Sequence, residues 1–181
     1  MKGELLTQAL VDTLSQIQDV LTILHALPNS ARSSIYIEND IGVHVRHVMD
    51  HLQAFLTGLG SSEVDYNTRN RSAACETDLD IANMQLETIV EQVKKLNKEP
   101  RLMKMDLMIV SEIDCFSTHS ETVHSNFARE VLYLINHTIH HAAYIRLLLR
   151  NRDIALPDHI GIAPCTATFQ RMTHRAQEIA H

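Results

Sequence analysis

IGVHVRHVMDHLQAFL, residues 41–56, is the stretch from which the rest of the chain can be read. Ile41, Val45, Val48, Leu52 and Phe55 recur at three- and four-residue steps, the period at which an α-helix returns to one face, so the segment predicts a helix with one side turned to a core. His44, His47 and His51 lie on the same helix at steps of three and four, so at least two of their imidazoles share a face. A second segment, YLINHTIHHAAYIRLLL at 133–149, repeats the arrangement with His137, His140 and His141. Two helices that each aim imidazoles at one point can build a metal site between them.

The same periodicity extends outward from these segments. Over about 4–27, Leu6, Leu10, Leu14, Ile17, Leu21 and Leu24 mark a first helix, which Pro28 ends. The polar stretch PNSARSSIYIEND leads to the histidine helix, with Asn39 or Asp40 as its cap and Gly58 and Gly60 at its close. A third helix carries Leu79, Ala82, Leu86, Ile89, Val93 and Leu96, an a/d heptad that runs into Lys94, Lys95 and Lys98 before Pro100. The fourth spans about 125–151, with Phe127, Val131, Leu134, Thr138, Ile145 and Leu148 turned inward. An all-α four-helix bundle, one domain over 1–181, is the expectation. Between the third and fourth helices, LMKMDLMIV (102–110) alternates enough to predict a short extended segment or hairpin, paired with EIDCF (112–116). SSEVDYNTRNRSAACET (61–77) reads as a long polar loop of the kind that carries function. The tail from Leu156 is a C-terminal extension that either finishes as a short helix or frays over TFQRMTHRAQEIA (168–180).

Composition narrows the function classes. In 181 residues, 45% hydrophobic content with only five Gly and four Pro is enough to bury one core and too poor in turn formers for an all-β fold. A formal charge of −6 leaves no electrostatic footprint for nucleic acid or an anionic membrane. There is no apolar run of about 18 residues and no secretory leader pattern, so a cytoplasmic location is expected. Cys75, Cys115 and Cys165 form no CxxC pair and read as reduced thiols with structural or incidental roles. Met103, Met105 and Met108 read as exposed apolar residues suited to a homodimer face.

A helical wheel sorts the histidines. With about 100° per residue, His141 falls roughly 60° from the centre of the fourth helix's apolar sector, His137 roughly 100° and His140 roughly 160°. His141 therefore faces in, His137 sits at the seam and His140 faces water. His137 and His141 make an HxxxH pair able to reach one ion, as neutral imidazoles do for zinc, iron, nickel or copper. On the 41–56 helix the wheel favours His44 and His51, with His47 at the margin. Hydrogen-bonded seam histidines are the competing explanation of any one such pair, and a second His-rich helix weakens it.

IGVHVRHVMDHLQAFL followed by NHTIHHAAYI resembles the DinB-like superfamily of metal-binding four-helix bundles, which includes the N-terminal domain of the ergothioneine-forming sulfoxide synthases. The resemblance extends loosely over VDYNTRNR with Glu76 and Asp78, SNFAREVLYLINH and LPDHIGIAPCTATF, and Cys165 departs from it where related sequences tend to show a small hydroxyl residue. It implies a three-histidine site on His47, His137 and His141, with His44 as the residue preceding the first ligand. The implied cofactor is a divalent ion such as zinc, nickel, iron or manganese, with a low-molecular-weight thiol as cosubstrate in some members.

Three neutral imidazoles leave an ion its full charge and an open position, the pattern of catalytic rather than structural zinc. The expected function is therefore a metal-dependent transferase or hydrolase that activates a thiol or water against a small molecule. Tyr66, Arg69 and Arg71 are candidate contacts to a carboxylate-bearing cosubstrate, since arginine pairs carboxylates bidentately. Asp50 and Glu130 are candidates for orienting the imidazoles, with surface acids as the plainer account of each. A di-iron carboxylate bundle is disfavoured, because only Glu121 and His124 have Glu-x-x-His spacing. The rival class is a non-catalytic metal- or ligand-binding bundle that forms a homodimer.

Overall fold

A computed structural model describes residues 2–68, 70 and 73–179, with side chains over 4–68, 70 and 73–173. Its helices are α1 (Lys2–His25), α2 (Asn29–Glu38), α3 (Ile41–Gly58), α4 (Leu79–Leu96), α5 (Phe127–Arg150) and α6 (Pro164–Ile179). Between them lie strands β1 (Glu63–Asp65), β2 (Asp106–Glu112) and β3 (Ser120–Asn126), in the sheet order β1-β2-β3. The architecture is mixed α/β, which corrects the all-α four-helix bundle expected from the sequence.

The apolar stripes explain the long helices. Leu10, Leu14, Ile17, Leu21 and Leu24 of α1 are fully buried, as are Val45, Leu52 and Phe55 of α3 and Val131 and Ile145 of α5. Packed together, α1 and α3 each contact both α4 and α5, so one core runs between the four. Asp78 caps α4 by accepting from the backbone N–H groups of Asp80 and Ile81 at 2.9 and 3.1 Å, and Asn126 caps α5 by accepting from Arg129 N–H at 3.0 Å. Asp40 precedes α3 in the left-handed region, φ 57°, and makes no side-chain cap bond. Its part is to turn the chain sharply from α2 into α3, a conformation Asp adopts at modest cost.

Two elements went unread in the sequence. The polar stretch before α3 is a helix of its own, held by one anchor: Tyr36 is buried, and its hydroxyl donates to the Cys75 carbonyl at 2.7 Å. The long loop after α3 contains β1, whose Val64 pairs in parallel with Ile109 of β2. The expected hairpin partner also moves: β2 pairs antiparallel with SETVHSN, setting Met108 opposite His124, while EIDCF supplies the end of β2 and the turn. Two glycines mark close approaches. A Cβ on Gly42 would lie 2.0 Å from the Glu76 carbonyl oxygen, so the start of α3 seats directly on the 3-10 turn Ala74–Glu76. Gly161, at φ 73°, packs so closely on α5 that a Cβ there would collide with the Ala143 backbone.

Met103 and Met105 are partly buried against the core and Met108 is half-buried, which corrects their reading as exposed. Among the described residues no helix is long and apolar enough to cross a membrane.

Candidate metal centre

α3 and α5 lie side by side and bring their histidines to one place. One donor atom from each of His47, His137 and His141 lies within 4.8 Å of the other two. The ring centroids are 4.9 Å apart for His47 and His137, 4.8 Å for His47 and His141, and 4.6 Å for His137 and His141. His141 is buried, while His47 and His137 are half-buried. The donor chemistry suits a borderline-soft divalent ion. Tetrahedral coordination at about 2.0–2.1 Å sets nitrogen separations near 3.4 Å, within reach of small side-chain rotations from this arrangement.

The other histidines of α3 and α5 flank the three. His51 is 6% exposed, with its ring 4.6 Å from His47 and 4.3 Å from His137, so it belongs to the cluster without belonging to the group of converging donors. Its Nδ1 lies 3.2 Å from the Tyr133 hydroxyl, and Tyr66 stacks on it at 5.1 Å. His44 stands on the other side, Nδ1 to Nδ1 at 3.1 Å from His141, with Tyr144 against its ring at 4.7 Å. Burial holds the His44 pKa below the ordinary imidazole value, reinforced by His140 and opposed by Asp40. His140 is exposed.

The acids named from the sequence do other work. Glu130 is 1% exposed and accepts from the Tyr66 hydroxyl at 2.9 Å and from Ser125 Oγ at 2.5 Å, with the Arg129 guanidinium at 3.2 Å. Burial, and then the charge of Glu130, push the Tyr66 pKa far above the usual phenol range. Asp50 pairs with Arg46 at 2.5 Å, and Arg46 also pairs with Glu76, locking α3 to the 3-10 turn rather than orienting an imidazole. Neither acid is a surface group, because each is consumed in a buried network. Tyr66 is a wall of the cluster, 6% exposed, with its hydroxyl committed to Glu130. Arg69 and Arg71 lie outside the described residues. Sequence reasoning missed Tyr133, although its place four residues before His137 puts it one helical turn away on the same face.

Comparison with known proteins gives little to set beside this geometry. No family model and no solved structure matches the chain. Over 104 residues the chain is 29% identical to FK506-binding protein 5 of Rhizopus delemar, a match covering 57% of this chain and 26% of that protein. The chain thus spans about a quarter of the relative it matches. Both the relative's name and the mixed α/β architecture depart from the DinB-like four-helix bundle drawn from the sequence, and that description is withdrawn.

Proposed function

We propose that this protein is a metal-dependent enzyme in which His47, His137 and His141 hold one divalent cation and leave room on it for a small-molecule substrate. The convergence of three imidazole donors from two helices, all within 4.8 Å of one another, carries the reading. Such an ion, held by neutral ligands with a position open, lowers the pKa of a bound water or thiol toward neutrality and so supplies a nucleophile for hydrolysis or group transfer.

The chain's own groups fix how the donors are presented. His44 engages His141 through Nδ1, which limits the ring to orientations that turn its other nitrogen away from His44. Tyr133 does the same for His51, and Glu130 anchors Tyr66 so that its ring stacks on His51.

Elemental analysis of the purified native protein tests the ligand set. One metal per chain is expected in the wild type and in His51→Ala, with most of it lost in His47→Ala, His137→Ala and His141→Ala. Loss in His51→Ala with retention in His47→Ala would overturn the assignment. Turnover of glutathione-type thiols with electrophiles, compared with His141→Ala, tests the enzyme reading. Equal rates in the two proteins would favour a binding domain without catalysis.

A further inference from the structure

Arg129, Tyr133 and His137 stand at four-residue steps on α5, so each side chain lies one turn from the next on a single face. They stack as a column. The Arg129 guanidinium carbon sits 5.5 Å from the centre of the Tyr133 ring, and that ring lies 5.5 Å from the His137 ring at an interplanar angle of 24°. The Arg129 side chain is 63% exposed, while Tyr133 and His137 are half-buried. The column therefore leads from solvent to one of the three converging donors.

The guanidinium is held in two ways. Its Nη1 donates to Glu130 Oε1 at 3.2 Å, and the Tyr133 ring lies within the roughly 6 Å over which a cation is drawn to an aromatic face. Glu130 is 1% exposed and also accepts from Tyr66 and Ser125, so it is fixed in the interior and occupies one nitrogen of the fork. Among the described residues no acceptor meets Nε or Nη2 of Arg129. Those two donors form an edge that matches an anion bidentately, and holding the group in place beforehand lowers the entropy cost of that pairing. This is the role expected from the sequence of Arg69 and Arg71.

We propose that Arg129 is the substrate-anchoring residue of the histidine centre: it binds an anionic group, a carboxylate foremost, on a molecule whose other end reaches the ion held by His47, His137 and His141. The column sets the separation of the two ends, with two contacts of 5.5 Å each between the guanidinium and the His137 ring. The proposal rests on the metal reading and adds the charge of the substrate to it.

Three thiols of equal chain length supply the test: 6-mercaptohexanoate, 6-mercaptohexanol and 6-aminohexanethiol. Each is titrated at neutral pH and low ionic strength into the cobalt-loaded full chain and followed by the near-ultraviolet band of a cobalt-bound thiolate. The carboxylate should bind roughly fivefold more tightly than the alcohol, and the amine more weakly than the alcohol. Added salt should narrow both differences. Arg129→Gln should erase the advantage of the carboxylate over the alcohol. Arg129→Lys, which keeps a cation beside Glu130 should the Gln variant fold poorly, should retain a smaller preference, because an ammonium lacks the fork. Equal affinities for the three thiols in the native chain, or a carboxylate preference that persists undiminished in Arg129→Gln, would overturn the proposal and leave the metal centre in place. Absence of the band with every thiol would overturn the metal reading and the proposal together.

Discussion

Tyr66 and Glu130 show how a single buried pair supports the site. The phenol donates to a carboxylate that is 1% exposed, and its ring lies against His51. Tyr66→Phe keeps the packing and removes one donor from a buried anion, so a loss of about 1–3 kcal/mol in urea unfolding is expected. Glu130→Gln, which keeps an acceptor and removes the charge, should cost less than Glu130→Ala. Loss of metal occupancy in Tyr66→Phe without loss of stability would contradict this account, because it would make the phenol a ligand. At this scale the sequence was informative about residue type and poor about partner. The HxxxH spacing picked out His137 and His141, whereas the helical wheel set His47 at the margin behind His44 and His51. The partners of Glu130 and Asp50 could not, because a carboxylate on a helix carries no mark of whether an imidazole, a phenol or a guanidinium will meet it.

Elements are held to one another by close approaches that few side chains permit. Gly42 seats α3 on the 3-10 turn, and its built Cβ lies 2.0 Å from backbone oxygen rather than from a side chain that could move. Gly42→Ala should therefore lower stability by roughly 1–3 kcal/mol, read as a lower urea midpoint with an unchanged slope. Asp78→Ala removes the cap of α4 and should cost about 1 kcal/mol, with circular dichroism showing the helix retained. The long helices were legible because their apolar stripes are local and repeat several times. Escaping notice, α2 has one buried anchor, Tyr36, and no stripe. β1 also went unseen, because three residues carry no period and gain their hydrogen bonds from a strand some 45 positions away, at Met108 to Val110.

Over the whole molecule, Tyr36 and Tyr66 tie the polar segments to the core, and both phenol pKa values are raised, first by burial. A raised phenol pKa means that the folded state favours the neutral form. The stability it contributes is fully present below the ordinary value near 10 and is lost as pH rises beyond it. Absorbance titration should show these two of the four tyrosines ionising together with unfolding, and Tyr36→Phe should remove one of them from that step. Ionisation of both near pH 10 in the still-folded protein would contradict the burial described here. Metal loading should raise the melting temperature of the wild type and leave His141→Ala unchanged, since a ligand held only by the native state stabilises it by mass action.

The sequence by itself determined the four long helices and the placing of histidines on two of them, because helical period and residue spacing are properties of neighbouring positions. Only the tertiary structure decided that His47 rather than His44 or His51 converges with the α5 pair, since the rotation of α3 about its own axis is set by what packs around it. The mixed sheet was decided in the same way: β1 has no ladder bonds and β2 only those to β3 until the chain brings them together, and no local pattern records that meeting.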